Sequence, residues 1–345
     1  MTLAIKVELK GANKAKEYLV KNNVLSKEYK VLREKEFLYF PLTKKIKSKY
    51  LIVEKNLEHN ENIKTSLKDV LGNILTKDEL ERVKTAYDVI GDIAILEIDK
   101  ELRIKEKEIG NALLRLRKDI KTVVRKEGGH EGEFRTQKMA WLAGEDKRVT
   151  VHKENNVLLK MDIEQVYFSP RLSTERKRIV ELVNKSKKKE DILVMFSGCA
   201  PYCCVIAKNA KEKIKSIIGI EVNPLGHKYG LENVKINSLN SIKLINDDVK
   251  KAVPLLAKQE LKFDRILMPL PKHAEDFLGE ALAVCKNSAI IHFYNFLHEK
   301  EFDMAEQMMK EACTKAKKKY KLMKFVKCGQ QSPGVYRICA DFKIL

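Results

Sequence analysis

Residues Lys189–Pro224 read KEDILVMFSGCAPYCCVIAKNAKEKIKSIIGIEVNP, and the order of chemistry in this stretch decides the fold. The run Asp191–Phe196 predicts a buried strand. A tight Ser197-Gly198-Cys199-Ala200-Pro201 turn follows, then a helix-length segment, then a second apolar run, Ile217–Ile220, that ends on Glu221. Strand, turn, helix, strand and acid in that order describe a Rossmann-type nucleotide site. Gly198 has no Cβ, so the backbone there can approach a ligand closely. A carboxylate at the end of the second strand can accept hydrogen bonds from both hydroxyls of a ribose. The short interval from Gly198 to Glu221, without a full G-x-G-x-x-G, fits S-adenosylmethionine better than NAD.

The 345 residues suffice for two or three domains with sizeable cores. Lysine and arginine number 68 against 48 aspartates and glutamates, a formal net charge of +20. Such an excess favours a polyanionic partner through long-range steering and counterion release. No apolar run approaches the roughly 20 residues of a helical membrane span, so no membrane partner is expected. The opening MTLAIKVELKGANKAKEYLV has no secretory h-region. Seven cysteines, an odd number scattered among apolar neighbours, point to a reducing compartment and a cytoplasmic location.

Residues 1–75 read as a small α+β unit, with strands at Ala4–Leu9, Lys35–Pro41 and Tyr50–Glu54 and a helix at Lys14–Asn22. The basic cluster Lys44–Lys49 beside Tyr39, Phe40 and Tyr50 suits contact with an RNA backbone. Leu67–Val83 reads as one connecting helix. Residues 85–165 predict a sheet with helices on one face. Its parts are a strand over Tyr87–Ile98 broken by Gly91, a helix over Lys105–Leu116 and a strand over Lys121–Lys126. A turn at Gly128-Gly129-His130 follows, then a hairpin of Val149–Lys153 and Val157–Asp162 around Glu154-Asn155-Asn156.

From Val166 the chain predicts a strand-like start, a break at Pro170 and a helix from about Thr174, capped by Ser173 or Thr174. Glu175 then lies in the first turn, where the helix dipole favours an anion. Further strands are expected at Ile242–Asp248, Phe263–Leu267, Ala289–Tyr294, Lys321–Val326 and Tyr336–Phe342, and Lys315–Lys321 as a solvated helix face.

Four stretches stand in an order and spacing that resemble one family. They are GEFRTQKMAWLAGEDKRVTVHKENN (132–156), VYFSPRLSTERKRI (166–179), the Gly198–Glu221 unit and FDRILMPLPKHAEDFL (263–278). Together they resemble the archaeal and eukaryotic tRNA (guanine-37) N1-methyltransferases, from about residue 85 onward; residues 1–75 match that family's N-terminal domain in size and place. The resemblance implies an α/β fold. A Rossmann-like class I S-adenosylmethionine-dependent methyltransferase domain (166–345) follows small α+β RNA-binding domains, with 1–75 docking the tRNA and 85–165 contributing to the target-base pocket. It implies a monomer acting on tRNA without a metal.

Methylating guanine N1 requires loss of the N1 proton, hence a general base near that nitrogen and a donor near O6, where negative charge develops. The resemblance assigns the base to Glu175 of T-E-R and the O6 partner to Arg135 of G-E-F-R. It assigns Tyr167 to the target pocket, where its ring can hold an extruded base, and to the cofactor. Arg176 becomes a neighbour of the methionine moiety or the RNA. Gly198, Glu221, Asn223 and Asp248 take the cofactor, Asp248 near the adenine edge; Pro269 borders cofactor and substrate, and Pro271 the substrate.

The sequence also departs from the family. Where D-M-F-A-G-x-G-P-F is usual, Val194 replaces the acid and Ala200 the second glycine. Pro269-Leu270-Pro271 stands where many members have N-L-P, so the side-chain amide that would contact guanine is absent. Three alternatives follow. The enzyme could methylate C7 of the tricyclic wyosine precursor as well as, or instead of, N1. It could be a tRNA-binding protein with a decayed cofactor site. It could be a small-molecule or NAD-dependent enzyme, which the missing glycine and the +20 charge oppose. Cys199, Cys203 and Cys204 read as buried thiols, because no histidine nearby completes a metal-ligand set. His130, His152 and His292 read as structural or RNA-adjacent.

Overall fold

Strand β1 (Thr2–Glu8) buries side chains on both faces: Ile5 and Val7 meet α1 (Ala12–Lys21) through Ala15 and Leu19, and Ala4 meets Tyr39 and Leu57. It is the inner strand of an antiparallel sheet ordered β2-β3-β1-β4, with β2 (Leu32–Glu34), β3 (Phe37–Pro41) and β4 (Leu51–Lys55). This belongs to the first of two units, Met1–Val70 and Leu71–Leu345, in a computed structural model that describes residues 1–60, 66–270 and 272–345. Tyr39 and Phe40 are core residues of this unit, so they do not interleave with the Lys44–Lys49 cluster. Within that cluster Lys49 lies over the Tyr50 ring, at 5.4 Å, while the Tyr39 ring is covered by Lys55, from outside the cluster, at 4.8 Å.

The helix expected over Leu67–Val83 is two short ones, α2 (Leu67–Leu71) and α3 (Lys77–Arg82). A capping box causes the restart: Thr76 Oγ1 accepts from Glu79 N, and Glu79 returns a carboxylate oxygen to Thr76 N.

In the second unit the Gly91 break is a turn between β5 (Asp88–Ile90) and β6 (Ile93–Leu96). Gly91 has φ +58°, and a Cβ there would lie 2.1 Å from Thr150 Oγ1. With β7 (Thr122–Glu131) and β8 (Thr136–Gly144) these strands form a sheet ordered β5-β6-β7-β8, on which α4 (Glu106–Leu116) buries Ile109, Ala112 and Leu113. Gly128-Gly129-His130 is not the turn. These residues extend β7 through a register shift, and the hairpin reverses beyond them, with Arg135 in the left-handed region. Strands β9 (Val149–Glu154) and β10 (Val157–Asp162) pair around Asn155-Asn156, both left-handed as a tight hairpin turn requires. They form their own ribbon and do not join the four-stranded sheet.

Val166 begins no strand. Pro170–Leu172 forms a 3-10 turn that runs directly into α5 (Ser173–Asn184), so neither Ser173 nor Thr174 caps it. Ser173 Oγ instead accepts from Asn155 Nδ2.

The largest sheet is ordered β13-β12-β11-β14-β15-β17-β16. Its strands are β11 (Glu190–Met195), β12 (Ile214–Glu221), β13 (Ile242–Asn246), β14 (Phe263–Met268), β15 (Cys285–His298), β16 (Tyr320–Ser332) and β17 (Val335–Ile344). The first five run parallel; β16 and β17 are antiparallel additions at one edge. Along β11, Ile192 and Val194 face the core shared with α5 and α6 (Pro201–Asn209). Leu193 and Met195 face the core under α8 (Val249–Lys258), α9 (Leu278–Ala283) and α10 (Met304–Lys315). Cover on both faces explains the near-continuous apolar run. The order reverses at β11, so β12 and β14 flank it and a crevice opens at their carboxyl ends. Lys315–Lys321 is the end of α10, a turn and the start of β16, not a helix face.

Helix α7 (Pro224–Ile236) covers the open edge of β10 with amides in place of another strand. Asn233 accepts from Lys160 N at 2.7 Å and donates to Lys160 O and Cys199 O, both at 3.0 Å. Asn237, just past the helix end, does the same for Leu158, at 2.9 and 2.7 Å. Asn233→Ala strands a buried amide and two carbonyls, so the urea midpoint of the full chain should fall by the equivalent of about 3 kcal/mol. An unchanged midpoint would show that the amide contributes nothing to the fold.

Candidate functional site

The loop after β11 passes through the left-handed region three times, at Phe196, Gly198 and Ala200. Only Gly198 adopts it without steric cost; Ala200, where a second glycine is usual, adopts it at roughly 1 kcal/mol. The Glu221 carboxylate at the end of β12 fastens this loop. One oxygen accepts from Gly198 N at 2.6 Å and the other from Asn223 N at 2.8 Å. Burial pushes the Glu221 carboxyl up from its ordinary value, and the backbone donors Asn223, Gly198 and Val222 pull it back.

Asn223 caps α7 through Leu225 N and donates to Gln165 O. Asp248 caps α8 through Lys250 N. Both therefore stand where a helix N-terminus meets the carboxyl edge of the sheet. Val194 is fully buried between Gly219 and Leu267, in an apolar setting with no role for the missing acid. Burial pushes the Cys199 and Cys203 thiols up to about 12, and Cys204 also rises, as inert core thiols do. Pro269 follows β14 directly, at the same edge; Pro271 lies outside the described residues.

A second feature adjoins the loop, because the Tyr167 carbonyl lies 3.6 Å from where a Gly198 Cβ would stand. The Tyr167 ring borders a cavity of about 170 Å³ with Arg135, His130 and Arg337. The Arg135 guanidinium lies 5.3 Å over the ring, and Arg337 Nη2 donates to the phenol oxygen. Neither arginine has a carboxylate partner among the described residues, and the Nε of each is buried with nothing to accept its hydrogen. His130 meets the ring edge-on at 5.1 Å. Burial, then the charges of Arg135, Lys126 and Arg337, push its imidazole down to about 4, so it is neutral at pH 7. Across the cavity the charges cancel in pairs, Arg171 on Asp88 at 2.7 Å and Lys126 on Glu97 at 3.0 Å. Sequence reasoning missed Arg337. Its only signal was one cation in the apolar run Tyr336–Phe342.

Glu175 and Arg176 turn inward. Glu175 is 4% exposed and accepts from Tyr294 OH at 2.7 Å and from Arg178 Nη2 and Nε at 2.8 and 2.7 Å. Arg176 is 1% exposed and forms a two-pronged ion pair with Glu154 of β9, its guanidinium over the Phe168 ring at 5.0 Å. Burial alone would raise the Glu154 carboxyl, but donors from His152 and Arg176 outweigh it and hold the group low. Arg176 braces α5 against β9 and also donates to the Ser169 carbonyl. The fold thus joins Gly198, Glu221 and Asn223 in one cluster, sets Tyr167 and Arg135 beside it, and holds Glu175 between Tyr294 and Arg178.

The family described as TRM5/TYW2 methyltransferase domain matches residues 150–323. The TYW2 N-terminal domain matches 67–147, and the tRNA methyltransferase 5 N-terminal domain matches 4–52. The tRNA (guanine(37)-N(1))-methyltransferase Trm5b of Pyrococcus abyssi is 34% identical over 346 residues, spanning 100% of this chain and 99% of that protein. The tRNA (guanine(37)-N(1))/4-demethylwyosine(37)-methyltransferase Taw22 of Nanoarchaeum equitans is 37% identical over 279 residues, covering 66% of this chain and 88% of that one. A solved complex of aTrm5 with tRNALeu superposes with a TM-score of 0.73 at 31% identity, covering 99% and 100% of the two chains. With half of its length in the methyltransferase domain and full-length identity above 30%, the chain belongs to the TRM5/TYW2 methyltransferase family.

Proposed function

We propose that this protein is a tRNA methyltransferase that moves a methyl group from S-adenosylmethionine to N1 of guanosine 37, beside the anticodon. The observation that carries the reading is the contact of the Gly198–Glu221 clasp with the Tyr167–Arg135 cavity. A cofactor site and a base-sized, donor-lined cavity meet at one backbone carbonyl.

Glu221 fits a ribose, since its carboxylate stands at the end of β12 beside Gly198 and, with room for about four hydrogen bonds, can still accept from a hydroxyl. Gly198 permits close approach, and Asn223, Asp248 and Pro269 border the same edge. The bound cofactor supplies an electrophilic methyl group on a sulfonium, whose bonding pair returns to sulfur. Tyr167 holds the extruded base on its face, and the free Nε–H of Arg135 is available to O6 as negative charge develops. Glu175 takes the N1 proton, exchanging one of its present donors for that N–H, and the electron pair left on N1 forms the new bond to carbon.

Residues 1–75 dock the tRNA, 85–165 supply Arg135 and His130 to the pocket, and 166–345 form the methyltransferase domain. The enzyme acts as a monomer in the cytoplasm, and this mechanism assigns no step to a metal. A second reading, C7 methylation of the tricyclic wyosine precursor at the same position, is favoured by Pro269, which offers no side-chain amide to guanine, and by the similarity to Taw22.

Methyl transfer from labelled cofactor to a tRNA transcript with guanosine 37 should yield N1-methylguanosine by mass spectrometry. Product only on tRNA bearing the tricyclic precursor would move the enzyme to the second reading, and binding without transfer would reject both. Glu175→Gln should slow single turnover by about 100-fold or more and leave tRNA affinity nearly unchanged; a full rate would remove Glu175 from the base role. Arg337→Ala should lower the slope of log affinity against log salt by about 0.7, the share of one phosphate contact on a single strand. An unaltered slope would separate Arg337 from the RNA phosphates.

A further inference from the structure

Behind Glu175 a line of ionisable side chains crosses the sheet. Arg178 is the hinge: Nε and Nη2 hold Glu175, while Nη1 and Nη2 donate to Asp341 of β17 at 2.6 and 3.1 Å. Asp341 Oδ1 meets His292 Nδ1 at 2.5 Å, and His292 Nε2 lies 2.7 Å from Arg265 Nη1. Arg265 closes the line with a two-pronged pair to Glu190, at 2.6 and 2.9 Å. The last four residues lie on β17, β15, β14 and β11, consecutive neighbours in the sheet.

Donor chemistry fixes the protons. A guanidinium can only donate, so His292 Nε2 accepts and Nδ1 carries the hydrogen given to Asp341. The imidazole is therefore neutral, and burial holds it so. His292, Cys339 and Asp341 also bring three metal-type donors within 4.8 Å of one another. Arg178 already takes the carboxylate and Arg265 the imidazole, and two fixed positive charges there oppose a cation.

Glu175 is faced by Arg178 from its own helix, Tyr202 from α6, Tyr294 from β15, Cys328 from β16, and Cys339 and Asp341 from β17. Burial raises both phenols and both thiols, so these four stay neutral through the physiological range. Of these groups, Arg178 and Asp341 carry charge, and Arg176 and Arg337 stand one residue further off, behind Tyr202 and Cys328. Arg178 is shared between two carboxylates, Glu175 on one side and Asp341 on the other.

We infer that Asp341, acting through Arg178, sets both the position and the proton affinity of Glu175, with His292, Arg265 and Glu190 fixing Asp341 in turn. These are positioning residues, and the inference rests on Glu175 being the base. The two charges act with opposite sign. Replacing Asp341 by Asn removes a negative charge, makes Glu175 harder to protonate and weakens it as a base. Replacing Arg178 by Gln removes a positive charge and makes Glu175 easier to protonate.

Single-turnover methyl transfer as a function of pH, on full-length enzyme with intact tRNA, tests this. For Asp341→Asn the acid limb should move to lower pH by about one unit, with the plateau rate down about tenfold. For Arg178→Gln the limb should move to higher pH. A merely structural role would lower rates while both limbs stay at the wild-type pH, and limbs moving in the same direction would also overturn the inference. If Arg178→Gln does not fold, the near-isosteric Asp341→Asn decides alone: a limb unmoved, or moved upward, rejects the idea. Failure of the base assignment is read separately, from a full rate in Glu175→Gln.

Discussion

An arginine cannot discard its charge inside a protein, so each guanidinium enclosed by this fold has to be met by a carboxylate held to receive it. Arg125 of β7 meets Glu106 of α4 in this way, and three further meetings surround the site. Arg265 with Glu190 ties β14 to β11, Arg176 with Glu154 ties α5 to β9, and Arg178 ties α5 through Asp341 to β17. Removing one partner from such a pair typically costs about 3–5 kcal/mol, because the other charge is left buried and alone. The amino end of β11, the β9–β10 hairpin and the helix that carries Glu175 are therefore placed by charge as much as by apolar packing. Arg135 and Arg337 are the contrast. They are half-buried, have no carboxylate among the described residues, and lie on the same cavity.

Much of the frame was legible because it depends on local chemistry. Lys189–Pro224 read correctly as strand, turn, helix, strand and acid, since apolar runs, Gly198 and Pro201 speak for themselves. Asn155-Asn156 announced its hairpin for the same reason. Errors fell where the outcome depends on distant partners or on a competing local signal. Ser173 lost its capping role to the preceding 3-10 turn and to Asn155. Gly128 looked like a reversal but serves as an irregularity inside a long strand. The Thr76 capping box is written as T-K-D-E inside an apolar pattern that runs on across it, so the local signal competes with the periodicity.

At the site, Gly198, Glu221 and Asn223 were legible as a cluster because a strand-end acid and a loop glycine come together in any such fold. Arg176 was not, for its ligand-like spacing beside Glu175 says nothing of Glu154, 22 residues away. The residues behind Glu175 left one common trace. Arg265 in FDRILM, His292 in AIIHFY and Asp341 in ICADF each interrupt an apolar strand with one ionisable group. A charge in such a run has to find a partner, and here those partners are one another.

The amides of α7 have a consequence outside catalysis. A two-stranded ribbon exposes rows of unsatisfied backbone groups, the template on which chains add strand to strand and aggregate. Asn233 and Asn237 occupy the β10 row group by group, at Lys160 and Leu158, so that edge cannot recruit a strand from another molecule. In a cell crowded with partly folded chains, two asparagines thus act as a solubility device.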